Sequence, residues 1–136
     1  MRFMILVKAT ADSEKGVMPS ERLFKEMGDY HAELQKAGVL VDASGLKPSP
    51  QGWRVNYAGR KATVIDGPFA ETKEIVAGYT IINVKSREEA LEWTRRYPNP
   101  SLDCGTAQIE VRPFYELEDF PQSESLERFR EILPTH

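Results

Sequence analysis

Two side chains of this sequence are suited to proton transfer: the imidazole of His31 and the carboxylate of Asp66. An imidazole gains and loses a proton near neutral pH, and a carboxylate partner orients the ring and stabilises its charged form. His31 follows Tyr30 and lies about 100° from the apolar stripe of a predicted helix. From that boundary it can shuttle a proton in a cleft or hydrogen-bond a neighbouring loop, and the sequence leaves both roles open.

Asp66 ends a short β-rich run and is followed by Gly67 and Pro68. An aspartate at such a turn accepts hydrogen bonds from nearby backbone N–H groups or points into a cleft. In the catalytic interpretation, Asp66 orients His31. Glu71 and Lys73 follow as a charge cluster, which is either a solvated loop or the rim of the pocket.

A second group of pocket candidates comes from alternation along two predicted strands. If the alternation is regular, Asp42, Ser44 and Arg112 point to the same uncovered face of a sheet. Polar groups on a covered face need partners or a ligand. Arg112 or Lys73 would then balance a small anionic ligand, and Tyr30 would line the same pocket.

The elements that position these residues follow from apolar periodicity and from turn signals. Their order is strand, helix, strand, inserted hairpin, strand, helix, strand and tail helix, which predicts an α+β fold with a ferredoxin-like split βαβ antiparallel sheet. The predicted elements are a strand over Met1 to Lys8, a helix between Ser20 and Gly38, a strand over Val39 to Leu46, a hairpin of Trp53 to Tyr57 with Ala62 to Ile65, a strand over Tyr79 to Val84, a helix from Ser86 through Tyr97, a strand over Ile109 to Phe114, and a tail helix over Ser123 to Leu133.

Both faces of this sheet are predicted to be apolar. In the first strand Phe3, Ile5 and Val7 alternate with Met4 and Leu6, so either set leaves an apolar set opposite it. A monomer rarely exposes so large an apolar patch to water. We therefore expect a homodimer that buries the uncovered face and encloses a chamber near His31, unless the tail helix folds back over that face.

Composition excludes several classes of partner. The net charge is −3, from 18 basic and 21 acidic residues without a basic block, so we expect no nucleic-acid partner. The apolar run from Phe3 to Val7 is too short for a signal peptide or a membrane span. Cys104 is the only cysteine, so no intramolecular disulfide can form. We expect a cytoplasmic protein without membrane contact.

Cofactor and metal sites are not expected either. The sequence has no glycine-rich phosphate loop, no Gly-x-Ser-x-Gly elbow and no CxxC pair. It has two histidines, one of which is the C-terminal His136, and a set of His31, Asp66 and Glu71 would be too rich in oxygen for zinc.

The segment Asp66-Gly67-Pro68-Phe69-Ala70-Glu71-Thr72-Lys73-Glu74, followed by Ala77-Gly78-Tyr79, resembles the signature of the DGPF-motif group of the YCII-related family. The opening MRFMILVK, the segment from Tyr30 to Leu34 that leads into Gly38-Val39-Leu40, and the closing Ile109 to Phe114 resemble the layout of the same family. The resemblance covers residues 1–116 and leaves residues 117–136 as a tail helix.

This resemblance implies a dimeric, ferredoxin-like α/β-barrel fold and a His/Asp active site. The histidine corresponds to His31. The classical aspartate precedes a proline near the end of the second helix, where this chain has Tyr97 before Pro98, and Asp66 is the substitute. The resemblance also implies a small aromatic ligand and a cofactor-independent lyase, isomerase or dehalogenase-like enzyme. The alternative is a non-catalytic ligand-binding or regulatory interaction module.

Overall fold

The computed structural model describes residues 1–134, and within this range six strands and four α-helices are present. The strands are β1 (Arg2–Lys8), β2 (Leu40–Gly45), β3 (Trp53–Ala58), β4 (Lys61–Asp66), β5 (Val76–Asn83) and β6 (Ile109–Pro113). The helices are α1 (Ala11–Glu14), α2 (Glu21–Lys36), α3 (Arg87–Arg95) and α4 (Glu124–Ile132).

Four of the strands form one antiparallel sheet in the order β2-β5-β1-β6, and β3 and β4 form a separate two-stranded sheet. In sequence, α2 connects β1 to β2, and α3 connects β5 to β6. The predicted α+β class with antiparallel sheets is confirmed. None of the helices within residues 1–134 combines the length and the apolarity that crossing a bilayer requires.

The two faces of the four-stranded sheet differ in burial. On the covered face, Phe3 pairs with Ile82 and Ile5 pairs with Thr80, and all four side chains are buried. The buried core around this face also contains Tyr30, Leu34, Val39, Val84 and Ala90. The other face, called here the open face, carries Met4, Leu6, Tyr79 and Ile81, which are half-buried.

Helix α2 forms where the sequence predicts it. The Ser20 side chain accepts a hydrogen bond from the Leu23 backbone N–H and so caps the first turn. Leu23, Tyr30 and Leu34 are the buried side chains of the helix. Gly38 follows with a φ of +76°, a left-handed conformation that glycine adopts without strain.

Strand β2 departs from the predicted alternation. Leu40 pairs with Ile82, whereas Asp42 pairs with Ile81, so Val41 is an extra residue in a β-bulge. Regular alternation along β2 would place Leu40, Asp42 and Ser44 on one face. That placement is wrong for Leu40, which packs against the covered core because the bulge shifts the register.

The inserted hairpin is present, with Gly59 in its turn at a φ of +60°. All residues of β3 and β4 are exposed. The tail helix is also present, as α4, in which Leu126 is the buried residue and Phe129 is 51% exposed. Helix α1 was not predicted, and it buries none of its four residues.

Candidate functional site

His31 bridges α2 and the central strand β5. Its Nδ1 lies 2.7 Å from the Met27 carbonyl oxygen, and its Nε2 lies 2.8 Å from Thr80 Oγ1. A carbonyl oxygen only accepts hydrogen bonds, so Nδ1 carries the hydrogen, and Nε2 of the neutral ring accepts from the Thr80 hydroxyl. These contacts fix both the ring orientation and the tautomer of His31.

Two tyrosines enclose this pair of residues. Tyr97 Oη lies 3.4 Å from Thr80 Oγ1, and the Tyr30 hydroxyl donates to the Trp93 carbonyl at 2.7 Å. The Tyr97 ring meets the edges of both Tyr30 and His31. Burial raises the pKa of Tyr97, although its hydrogen bond with Thr80 lowers it in part, and burial also raises the pKa of Tyr30. Both phenols therefore remain protonated at neutral pH.

Access to this cluster is unequal. Thr80 is 1% exposed, whereas His31 and Tyr97 are half-buried. Part of His31 and part of Tyr97 are therefore at the surface, while the threonine between them is closed to solvent. The cluster thus links an imidazole and a phenol through a threonine hydroxyl that is too buried to act as a nucleophile.

A cavity of about 420 Å³ lies on another side of Tyr30, between α2 and the end of α3. Each of its three carboxylates is ion-paired: Glu26 with Arg22, Asp29 with Lys25, and Glu33 with Arg96. Because these charges are already balanced, the cavity offers little to a charged ligand. Its lining residues are Glu26, Asp29, Tyr30, Glu33, Arg96 and Pro98.

Asp66 is in a different part of the molecule. It is the last residue of β4, where it pairs with Trp53 in the hairpin and is exposed. No hydrogen bond or ion pair within residues 1–134 joins Asp66 to His31. The Met27 carbonyl oxygen, and not a carboxylate, holds the Nδ1 hydrogen of His31. The His31/Asp66 pair therefore stays a prediction.

Asp42, Ser44 and Arg112 are all on the open face. Asp42 and Ser44 pair with Ile81 and Tyr79 of β5, and Arg112 pairs with Met4 of β1. The Tyr79 hydroxyl donates to Asp42 Oδ2 at 3.0 Å. His31 approaches the opposite face, through Thr80. A chamber on the open face would therefore be lined by Asp42 and Ser44, and not by His31.

Charge pairs also occupy the β6 edge of the open face. Glu110 lies 3.3 Å from Arg112 Nη1 and 3.4 Å from Lys8 Nζ. Arg112 and Lys8 together hold the pKa of the Glu110 carboxyl below its usual value. Arg112, the predicted anion-binding residue, thus has a carboxylate partner within its own chain.

The turn from Asp66 to Phe69 is held against the segment around Ser49. The Phe69 N–H donates to Ser49 Oγ at 3.1 Å, and the Gly67 N–H donates to the Gly52 carbonyl at 3.0 Å. A Cβ atom on Gly67 would lie 1.9 Å from the Ser49 carbonyl oxygen, so only glycine fits there. Glu71 and Lys73 follow this turn; Glu71 is exposed and Lys73 is exposed as well.

Ser49 is in turn held by α1. Its N–H donates to Glu14 Oε1 at 3.0 Å, and its hydroxyl donates to Glu14 Oε2. Ser49 is 7% exposed and is one of the few buried polar residues. The first helix, the Ser49 segment and the Asp66–Phe69 turn thus form one hydrogen-bonded unit.

Sequence reasoning did not select Thr80, Tyr97 or Ser49 as site residues. A signal for Thr80 is present, because it is a polar residue two positions from Ile82 in a strand that is otherwise apolar on that face. No local signal marks Ser49, whose partner Glu14 is 35 residues away.

Within the described residues, no group of three or more His, Cys, Asp and Glu side chains is arranged to hold a metal ion. His136, which was considered in the sequence interpretation, lies outside the described residues.

A model of the YCII-related domain matches residues 1–115. The chain belongs to the YCII-related family. The chain is similar in sequence to the uncharacterized protein R00369 of Rhizobium meliloti (strain 1021). The two are 28% identical over 101 residues, which cover 74% of this chain and 82% of the relative.

Among solved structures, the YCII-related chain is similar to 5-chloro-2-hydroxyhydroquinone dehydrochlorinase from Burkholderia phenoliruptrix AC1100 in complex with 2,5-dihydroxybenzoquinone. The TM-score is 0.47 at 13% identity, covering 85% of this chain and 94% of the dehydrochlorinase. A similarity at this level does not transfer an activity.

Proposed function

We propose that this YCII-related protein is a cofactor-independent enzyme that transfers a proton on a small molecule, with His31 as its acid–base group. The observation that carries the proposal is the fixed tautomer of His31, whose Nδ1 hydrogen is held by the Met27 carbonyl oxygen. A fixed Nδ1–H leaves Nε2 as the basic nitrogen, which is the arrangement that general-base histidines use. Lyase, isomerase and dehalogenase-like reactions all use such a proton transfer.

The proton path in this proposal runs through Thr80. Tyr97 Oη accepts a proton from the substrate as its phenol hydrogen passes to Thr80 Oγ1, and the Thr80 hydroxyl hydrogen passes to Nε2 of the neutral His31. The reverse transfers return the proton to the substrate. Thr80 Oγ1 lies 2.8 Å from His31 Nε2, an ordinary hydrogen-bond distance, and 3.4 Å from Tyr97 Oη, a separation that must shorten before a proton is transferred. Since burial raises the pKa of Tyr97, the phenol and not the phenolate is the form from which this transfer begins.

In this proposal Asp66 does not orient His31, and its contribution is tested together with that of Thr80. Long-range 1H–15N spectra of the imidazole distinguish a protonated Nδ1 from a protonated Nε2. We expect Nδ1 to be protonated in the wild type, in Asp66→Asn and in Thr80→Val, and the Nε2 resonance to shift only in Thr80→Val, which removes its hydrogen-bond donor. A tautomer that changes in Asp66→Asn would favour the His31/Asp66 pair instead.

Activity is tested by deuterium exchange at the carbon next to the carbonyl group of cyclohexanone in D2O, followed by 1H NMR. We expect the protein to accelerate the exchange, and His31→Gln and Tyr97→Phe to abolish the acceleration while Asp66→Asn retains most of it. Exchange no faster than in buffer alone would contradict the proposed enzymatic function.

A non-catalytic ligand-binding or regulatory interaction module is the second candidate function. The observation that favours it is that both ring nitrogens of His31 already have protein partners. A histidine in a purely structural role is satisfied in the same way. In this case His31→Gln would lower the free energy of unfolding and leave ligand binding unchanged.

We also propose that the chain forms a ferredoxin-like homodimer through the open face. The β2-β5-β1-β6 order with both crossover helices supports the split βαβ plan. The half-buried Met4, Leu6 and Ile81 supply an apolar centre, and Glu110 and Arg112 supply a charged rim. Sedimentation should give a dimer for the wild type and a folded monomer for Ile81→Lys; a monomeric wild type would refute this interface.

The remaining parts of the proposal concern the tail and the cellular setting. We propose that residues 1–116 form the domain and that residues 117–136 are a tail outside it. In support, Leu126 is the one residue of α4 that is buried. Cys104 is exposed and unpaired, which supports a reducing, cytoplasmic setting. The net charge of −3 supports a small-molecule ligand rather than nucleic acid.

A further inference from the structure

A second cleft, called here the turn cleft, lies between the base of the hairpin, the segment before Ser49 and the beginning of β5. Its volume is about 260 Å³, which is room for a molecule of about one ring. Leu46, Pro48, Phe69, Ile75 and Val76 give it apolar walls. Apolar walls with a few polar groups are typical of small-molecule sites.

Two cations line the turn cleft, Lys47 and Arg54. Neither forms an ion pair within residues 1–134, unlike Arg2, Lys8 and Arg112 on the four-stranded sheet, which each face a carboxylate. The Arg54 guanidinium is stacked on the Phe69 ring, 3.8 Å from its centroid. Stacking occupies the face of a guanidinium and leaves its N–H edge available for a carboxylate.

The stacking partner of Arg54 is itself held in place. Phe69 donates its N–H to Ser49 Oγ, and Ser49 is fixed by the Glu14 carboxylate. Gly67 lies directly against the Ser49 carbonyl. A binding group that is positioned before the ligand arrives loses less entropy on binding. The Asp66–Phe69 turn thus fixes the phenyl ring on which the Arg54 guanidinium is stacked.

We propose that the turn cleft binds a small organic monocarboxylate whose apolar body is about one ring in size. Arg54 takes the carboxylate in a bidentate pair, Lys47 adds a second positive charge, and the apolar walls contact the ring. Glu74 is the carboxylate in the lining and limits its formal charge to +1. A monoanion matches this charge better than a dianion does.

This inference is independent of the proposed acid–base function, because none of the turn-cleft residues belongs to the His31 cluster. Failure of one proposal therefore leaves the other standing.

The test is a titration of the full chain with benzoate, followed by 1H–15N spectra. We expect shifts concentrated at Phe69 and Ile75, and affinity about tenfold weaker in Arg54→Gln, since a bidentate charged pair is lost. Arg54→Lys, which keeps the charge and loses the fork, should also bind more weakly. Arg60→Gln is the matched control, because it removes a cation in the hairpin turn that does not line the cleft.

Three control ligands test separately the contribution of the carboxylate and the contribution of the apolar ring. Acetate carries the charge without the ring, benzyl alcohol carries the ring without the charge, and phthalate carries a second charge. All three should bind more weakly than benzoate at the same residues. Equal weakening by Arg54→Gln and Arg60→Gln, equal affinity for benzyl alcohol, or shifts outside the cleft would overturn the proposal.

Discussion

Successive side chains alternate between two faces in both the four-stranded sheet and the β3–β4 hairpin, but the two regions differ in burial. In the sheet, Ile5 and Ile82 are 0% exposed beneath the helices. In the hairpin, Trp53, Tyr57 and Val64 are 64%, 75% and 63% exposed, although they lie on one face. Alternation therefore specifies which side chains share a face, and a second layer decides whether that face is buried.

The contacts that hold the hairpin in place are therefore at its base. A two-stranded hairpin alone is marginally stable in water, because one pair of strands buries little apolar surface. Here the Asp66–Phe69 turn joins the hairpin to the Ser49 segment through Gly67 and Phe69. The sheet is held by its core and the hairpin by a few polar contacts, and the following predictions test that difference.

The largest effect is expected in the covered core. Ile82→Ala should lower the free energy of unfolding by about 2–5 kcal/mol, because it leaves a cavity among fully buried side chains. Val64→Ala on the hairpin is the matched change and should cost less than about 0.5 kcal/mol, as an exposed residue does. Urea unfolding of both variants checks this, and similar costs would show that the hairpin face is covered in solution.

Next in size is the base of the hairpin. Gly67→Ala places a Cβ atom against the Ser49 carbonyl and should cost about 1–3 kcal/mol. The loss should appear as faster hydrogen exchange in β3 and β4, with the core amides still protected. Gly45→Ala is the control, since a Cβ atom added at Gly45 would have no neighbour within 4 Å. Uniform loss of protection across the whole chain would mean that the hairpin and the sheet unfold together.

A smaller effect is expected at the polar exception within the covered face. Thr80→Val keeps the shape but removes the hydroxyl bonded to His31 Nε2, and should cost about 1–2 kcal/mol. Ser44→Ala on the open face should change stability by less than about 0.5 kcal/mol. Thermal unfolding of the two variants measures both losses of stability. Equal losses would show that the His31–Thr80 contact does not stabilise the fold.

The smallest effect is confined to alkaline pH. Burial raises the folded-state pKa of Tyr30 and Tyr97, so their contribution to stability is complete below the unfolded pKa of tyrosine, roughly 10. It is lost as the pH rises from there through the higher folded values. Tyr97→Phe should make the free energy of unfolding less dependent on pH above 10, measured by urea unfolding at a series of pH values. An unchanged slope would contradict the assigned burial of this phenol.

The sequence predicts the elements well where the signal is local. Ser20 and Gly38 mark the ends of α2, and Gly59 marks the hairpin turn. Helix α1 was missed because four residues without a buried side chain give no periodicity. The bulge at Val41 was missed because the register of β2 is set by its pairing with β5, not by its own residues.

The candidate site is harder to predict, because its contacts join distant parts of the chain. His31 was selected from its type and its place on the helix, but its partner Thr80 is 49 residues away. Asp66 was selected from its turn, and the structure places it in the hairpin sheet. Alternation did bring Asp42, Ser44 and Arg112 to one face, since face assignment needs only strand periodicity and pairing.

Glu14 shows how far a surface position can act. It is half-buried and belongs to a short helix that contributes no residue to the core, so a ranking of positions by core burial would give it little weight. Yet its carboxylate holds Ser49, and Ser49 holds Phe69, on which Arg54 is stacked. Tolerance to substitution in this protein therefore depends on chains of polar contacts as well as on burial. Through such a chain, Glu14 is linked to the orientation of the Arg54 side chain, 40 positions later.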